Sequence, residues 1–215
     1  MFLSYLVTCH NETTSLEKLL SNLIKYKKDN HEIVLLDDYS DNQTTLNIIE
    51  KYKENVVFHQ HKLERNYGAH KNYGIEQCKG QWIFQLDGDE CPTDLLLENI
   101  DIVLESNKAN EVIWLPRMNF FIGVTQNDAD QWGWRLHDGM VNFPDYQSRI
   151  YRNLPHIRYQ RRLHEKVEGF KSYTFVPPQK DYAILHEKTI EKQRQTNLNY
   201  NKIFTQEENM GYSVK

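Results

Sequence analysis

Between Phe2 and Leu86 short apolar runs alternate with helical patterns, and this alternation narrows the fold more than any other property of the chain. Phe2 to Thr8, Glu32 to Leu36, Val56 to His59 and Trp82 to Leu86 read as strands. Between them, Ser15 to Lys28 sets Leu16, Leu19, Leu20, Leu23 and Ile24 at helical spacing. Asp41 to Lys53 does so with Leu46, Ile48 and Ile49, and Ala69 to Cys78 forms a third helix. Strand and helix in regular succession require parallel strands joined by crossover helices, so an α/β fold with a mostly parallel sheet flanked by helices is predicted. At 215 residues the chain fills one hydrophobic core, and a single domain follows.

Asp94 to Ser106 is expected to add one more helix. Past Glu111 the helical period is lost: Trp114, Phe120, Phe121, Trp132 and Trp134 crowd one stretch, and Arg149, Arg152, Arg158, Arg161 and Arg162 follow. This half is expected to be irregular and to build the second wall of a cleft. Its arginines read either as a solvated face or as lining for an anionic substrate. From Glu187 to Phe204 a polar helix is expected, anchored by Ile190, Leu198 and Ile203.

In open parallel sheets ligands bind beyond the carboxyl ends of the strands, and the informative polar residues cluster there. Strand one is followed by Thr8-Cys9-His10-Asn11-Glu12, strand two by Asp37-Asp38-Tyr39-Ser40-Asp41, and strand four by Asp87-Gly88-Asp89-Glu90. Asp87 and Asp89 are two apart and project to one face of an extended chain. A bare acidic pair repels itself, and its usual partner is a divalent cation carrying a substrate phosphate. Neither glycine-rich phosphate cradle occurs, so a diphosphate here needs metal and cationic side chains.

With 26 basic and 30 acidic side chains the net charge is -4, which argues against a nucleic-acid partner. Cys9, Cys78 and Cys91 show neither disulfide nor zinc spacing and suit a reducing cytoplasm. No run approaches about 18 apolar residues, so at most peripheral membrane contact is expected.

The Thr8-to-Glu12 start, the Leu36-Asp37-Asp38-x-Ser40-x-Asn42 loop, the Asn66-Tyr67-Gly68-Ala69-x-Lys71-Asn72-x-Gly74-Ile75 segment and the Asp-x-Asp motif resemble, in order and spacing, the inverting GT-A glycosyltransferases of family 2. The resemblance implies a nucleotide-sugar donor, most often a UDP-sugar, with Mn²⁺ or Mg²⁺ joining its diphosphate to the Asp-x-Asp group. It implies transfer to a hydroxyl acceptor such as a saccharide or glycolipid. By position, Asp38 would bind the base, and Thr8, His10 and Glu12 would line the nucleoside. Asp87 would sit near ribose and metal with Gly88 beside it, and Asp89 would be the direct metal ligand. Arg65 and Lys71 would supply positive charge for the donor, Lys71 as a point charge where relatives commonly carry arginine. Residues 1–110 would form the nucleotide half and 111–215 the acceptor half.

Further on, Gln147-Ser148-Arg149-Ile150-Tyr151-Arg152-Asn153 followed by Leu163-His164-Glu165-Lys166-Val167 resembles a subgroup in which a His-Glu pair follows an arginine-rich strand, which makes Glu165 the candidate base. Without that resemblance it reads as a carboxylate paired with Arg161 or Arg162. His186, closing an expected strand from Tyr182, reads either as a packed histidine or as a further metal ligand. The Asp37-to-Asp41 loop is expected both to cap the next helix, through Ser40 or Asp41, and to present Asp38. The Gln-x-x-Arg-Trp motif of processive synthases is absent, which favours a single transfer per encounter. Two rivals stand beside this reading: a nucleotidyltransferase, although Thr8 to Glu12 lacks the glycine-rich loop of that class, and an inactive nucleotide-sugar-binding module.

Overall fold

A computed structural model of the chain describes residues 2–209. The first half runs β1 (Leu3–Cys9), α1 (Thr14–Tyr26), β2 (His31–Asp37), α2 (Gln43–Tyr52), β3 (Val57–Gln60), α3 (Tyr67–Gln77) and β4 (Trp82–Asp87). Then come β5 (Glu90–Pro92), α4 (Asp94–Glu98) and α5 (Ile100–Ser106). The strand order β3-β2-β1-β4 is parallel throughout. Every residue of β1 is buried, because strands flank it on both edges and helices cover both faces; hence its unbroken apolar run. From α1 come Leu16, Leu19, Leu20 and Leu23, all buried on one stripe against the sheet and contributing about 1.5–3 kcal/mol each. On the other face α3 lies close, since a Cβ at Gly74 would come within 2.8 Å of the Leu6 side chain.

The second half contains β6 (Val112–Ile122), α6 (Gln126–Trp132), β7 (Leu136–His137), β8 (Met140–Arg152), β9 (Arg158–Gln160), β10 (Lys166–Glu168), β11 (Tyr173–Phe175), β12 (Ile184–Thr189), α7 (Ile190–Ile203) and α8 (Gln206–Asn209). It corrects the expectation of irregularity. β8 pairs antiparallel with β4 and with β6, and the sheet continues β8-β6-β12-β5. The ladder of β6 on β8 shifts register between Ile113 and Leu115 and again between Arg117 and Asn119. Each irregularity breaks the period-two alternation that marks a strand in sequence. One sheet therefore runs through both halves, and β5 from the first half closes the far edge against β12.

Three further expectations are corrected. Asp94 to Ser106 is two helices: Asn99 leaves helical geometry, and its side-chain amide donates to the Leu95 carbonyl at 2.9 Å, competing with the helix ladder. The strand after Tyr182 starts at Ile184 and continues past His186 to Thr189, so the last helix starts at Ile190. Of its three expected anchors, Ile190 is buried while Leu198 and Ile203 are exposed; Leu46 of α2 is likewise exposed. No helix among the described residues is long and apolar enough to cross a membrane.

Candidate active site

In the parallel ladder Thr8 sits opposite both Leu36 and Asp87, so β1, β2 and β4 end at one level and their loops share a rim. A cleft of about 700 Å³ opens there. It is lined by every residue that the sequence placed at the site: Thr8, His10, Glu12, Asp38, Arg65, Lys71, Asp87, Gly88, Asp89, Glu165 and His186.

Two loops are fastened by Asn11, which holds a left-handed φ of 56°. Its Oδ1 accepts from the Asp41 and Asn42 amides, its Nδ2 donates to Asp41, and its backbone N–H donates to Ser40 Oγ. Ser40 in turn donates to buried Asp37. With Ser40 and Asp41 engaged in this way, the cap of α2 is Asn42, whose side chain accepts from Thr44 and Thr45, rather than Ser40 or Asp41. Asp38 accepts from the Leu63 amide at 2.8 Å through Oδ1, and its backbone carbonyl meets His10 Nδ1 at 2.8 Å. Arg65 lies in an exposed turn with a left-handed φ of 58°.

The Asp-x-Asp carboxylates have different surroundings. Asp87 Oδ1 accepts from Thr8 Oγ1 at 3.0 Å, Gln85 Nε2 at 2.9 Å and Lys71 Nζ at 2.9 Å, while Oδ2 meets Arg149 at 2.7 Å. Burial alone would push the Asp87 carboxyl up, but Arg149 and Lys71 hold it well below the usual carboxylate range. The acidic pair is therefore not bare: Lys71 and Arg149 supply protein cations to Asp87. Glu90, 1% exposed, accepts from Arg117 at 2.7 Å and Arg149 at 2.6 Å and belongs to this internal network. Arg149, read from sequence as facing solvent or substrate, is 6% exposed and bonded to Gln85, Asp87 and Glu90.

Asp89 faces the cleft with His186 Nε2 at 3.5 Å from its Oδ2. Burial raises its affinity for a proton, the His186 contact lowers it, and the net is a depressed carboxyl. The imidazole Nδ1 lies 2.8 Å from Asn119 Oδ1, and the Asn119 amide donates to Asp145 at 2.9 Å. Asn119 Oδ1 can only accept, so Nδ1 carries a proton, and Nε2 is the ring nitrogen that faces the Asp89 carboxylate. With a proton on Nε2 the imidazole donates to Asp89; a cation that takes the place of that proton would be held by Nε2 and the carboxylate together. Among the described residues, no group of three or more His, Cys, Asp or Glu side chains could hold a metal by itself. An ion here would complete its shell from substrate oxygens and water.

Glu165 ends the turn joining β9 to β10, and its Oε1 lies 2.6 Å from Lys71 Nζ. Its partner is thus Lys71 rather than Arg161 or Arg162. Lys71 is 3% exposed, bridges Asp87 and Glu165, and keeps its proton more firmly than an ordinary lysine; burial opposes that, and the two carboxylates outweigh it. The turn carries left-handed φ values at Arg161 (75°) and His164 (52°), a strained form for residues with a Cβ. Surrounding contacts impose it: the Tyr67 amide donates to the Arg162 carbonyl at 2.9 Å, Arg162 pairs with Glu208 at 3.0 Å, and His164 meets Asn209 at 3.0 Å.

The sequence did not foresee the remaining wall. Lys192, Thr196, Asn199, Tyr200 and Ile203 of α7 line the cleft, with Arg117 of β6 and Lys188 of β12. Lys192 pairs with Glu12 at 2.8 Å, tying α7 across the mouth to the first loop.

Residues 4–173 match the family model described as "Glycosyl transferase family 2". Among curated proteins, the chain is 30% identical over 116 residues to poly(ribitol-phosphate) β-N-acetylglucosaminyltransferase TarP of Staphylococcus aureus strain N315, covering 51% of this chain and 35% of that protein. It is 34% identical over 89 residues to poly-β-1,6-N-acetyl-D-glucosamine synthase of S. aureus strain COL, covering 40% of this chain and 21% of that one. The chain thus spans about a third of the length of one relative and a fifth of the other. Among solved structures, S. aureus TarS 1–349 in complex with UDP-GlcNAc superposes with a TM-score of 0.62 at 20% identity, covering 87% of this chain and 59% of that one.

Proposed function

The chain belongs to glycosyl transferase family 2, and on that premise we propose that it moves a sugar, with inversion, from a UDP-sugar to a hydroxyl of a saccharide or glycolipid acceptor. The observation that carries this reading is the shared cleft: Asp89 with His186 on one side and Glu165 on the other, joined through Asp87 and Lys71. UDP-GlcNAc is the first donor to try, because it is the molecule bound in the TarS complex.

In this reading the nucleoside lies against Asp38 and the loop from Thr8 to Glu12, with the diphosphate running toward Asp89. Glu165 has one oxygen on Lys71 and its other free to accept the proton of the acceptor hydroxyl as that oxygen attacks the anomeric carbon. Lys71 fixes the carboxylate's orientation. Asp89 and His186 would hold Mn²⁺ or Mg²⁺, which when bound supplies positive charge for the departing nucleoside diphosphate. Asn119, by accepting from Nδ1, turns Nε2 toward Asp89 and so orients His186 for that task.

The test pairs UDP release with calorimetry, using UDP-GlcNAc and other nucleotide-sugars with and without Mn²⁺. Glu165→Gln should bind donor as the parent does while losing about 10²–10⁴-fold in transfer. Asp89→Asn should lose the response of donor binding to Mn²⁺. Full turnover in Glu165→Gln overturns the base assignment. Pyrophosphate release from UTP and a sugar phosphate would instead mark a nucleotidyltransferase, and UDP binding without turnover of any donor would mark a binding module.

A further inference from the structure

The cations that line the cleft are Arg65, Lys71, Arg117, Lys188 and Lys192. Three of them have protein counterions in place: Lys71 has Asp87 and Glu165, Arg117 has Glu90 and Asp145, and Lys192 has Glu12. Arg65 is exposed, and water solvates it. Lys188 is different, being half-buried while no carboxylate among the described residues reaches ion-pair distance of its ammonium. Removing a charge from water without a counterion costs free energy, and an anionic ligand recovers it.

The position of Lys188 says which anion. On β12 it is two residues beyond His186, so both side chains project from the same face of the strand into the cleft. The carboxylates whose field it feels are Asp89, on the turn after β4, and Glu12, on the loop after β1, beside the cations Lys192 and Arg117. A nucleotide-sugar whose base lies at Asp38 and whose anomeric carbon faces Glu165 must carry its diphosphate through the space between those two loops. We infer that Lys188 is a donor-binding residue that contacts the diphosphate of the nucleotide-sugar. This inference rests on the glycosyltransferase reading and adds a residue to it. It also moves the diphosphate contact away from Lys71, whose ammonium is already shared between two carboxylates.

The experiment is calorimetric titration of the full chain and its Lys188→Met and Lys188→Arg variants with UDP, uridine and inorganic pyrophosphate. Matched thermal midpoints serve as the folding control. Lys188→Met should weaken UDP by about 10- to 100-fold, the size of one charged hydrogen bond, and leave uridine unchanged. Lys188→Arg should keep UDP within about threefold, because the charge remains. Equal UDP affinity in Lys188→Met and parent overturns this inference and leaves the glycosyltransferase reading standing. Parallel losses for UDP and uridine also overturn it, since they mark a structural role. A parent chain that takes pyrophosphate through Lys188 but neither UDP nor uridine would keep the anion contact and remove the nucleotide-sugar reading; one that takes none of the three removes both.

Discussion

Replacing Lys71 with methionine is the sharpest perturbation of the site, because methionine keeps most of the aliphatic stem and deletes the charge. Lys71 is 3% exposed, and its ammonium lies 2.9 Å from Asp87 and 2.6 Å from Glu165. Breaking a buried pair from one side leaves an uncompensated charge and costs about 3–5 kcal/mol. Asp87 retains Arg149, Thr8 and Gln85, and the Glu165 side chain is 15% exposed, so it can draw in water. Both facts place the expected loss at the low end, about 3 kcal/mol. For a domain of this size that lowers the thermal midpoint by roughly 6–12 °C.

The assay is urea unfolding followed by circular dichroism on Lys71→Met, Glu165→Gln and the double variant. Because the two groups touch, the cycle should show a coupling of about 1–3 kcal/mol, with the double variant more stable than the sum of the single losses implies. A Lys71→Met loss under about 1 kcal/mol, or additivity within about 0.5 kcal/mol, would refute the claim that this ammonium holds the candidate base in place.

Two other variants test neighbouring parts. His70 is 4% exposed, and burial pushes its imidazole down to about 4 from an ordinary 6.5. The unfolded chain therefore binds the extra proton first as pH falls, so stability is full above about pH 6.5 and drops by up to about 3 kcal/mol on the way to pH 4. His70→Gln should flatten that slope in denaturant titrations at pH 7 and pH 4.5, and an unchanged slope would assign it to other groups. At Gly68 a Cβ would lie 2.4 Å from the Arg161 carbonyl oxygen. Gly68→Ala must then displace the turn that carries Glu165, with transfer falling by about 100-fold for a shift near 1 Å while calorimetry shows UDP binding retained; parent-level transfer would show that the turn adapts.

What the sequence made legible follows from how each element is buried. β1, β2 and β4 are covered on both faces and read as continuous apolar runs, and α1 declares itself through one leucine stripe. The loops at those strand ends were equally plain, since polar residues that cut off buried runs at matching places mark where the chain leaves the sheet for the ligand-facing rim. β6 and β8 were hidden because register shifts scramble their alternation. The α2 cap was misplaced because tertiary contacts decide it: Asp37 takes Ser40, and Asn11 takes Asp41. Arg149, Glu90 and Arg117 were unreadable as a unit because their contacts span 27 to 62 residues of sequence. The α7 wall escaped notice because, Ile203 apart, its cleft-facing side chains are polar or amphipathic, and Leu198 does not line the cleft.

The two aspartates of the Asp-x-Asp motif share a face, yet register gives them different tasks. Asp87 is the last residue of β4, opposite Thr8 in the ladder, and its position is therefore set by the sheet itself. There it meets Lys71 from α3, and Lys71 meets Glu165 from the turn before β10. Asp89 lies in the turn beyond the strand, where its protein partner is one imidazole. A chain of charges thus runs from the sheet to the candidate base, while the second aspartate keeps an oxygen available to the cleft. In the proposed reaction the motif would position both ends: Asp89 would address the donor directly, and Asp87, through Lys71, would fix the group that activates the acceptor. Both oxygens of Asp87 are engaged, Oδ1 by Thr8, Gln85 and Lys71 and Oδ2 by Arg149, so a direct bond from Asp87 to a metal would compete with one of those contacts, whereas the charged partner of Asp89 is His186.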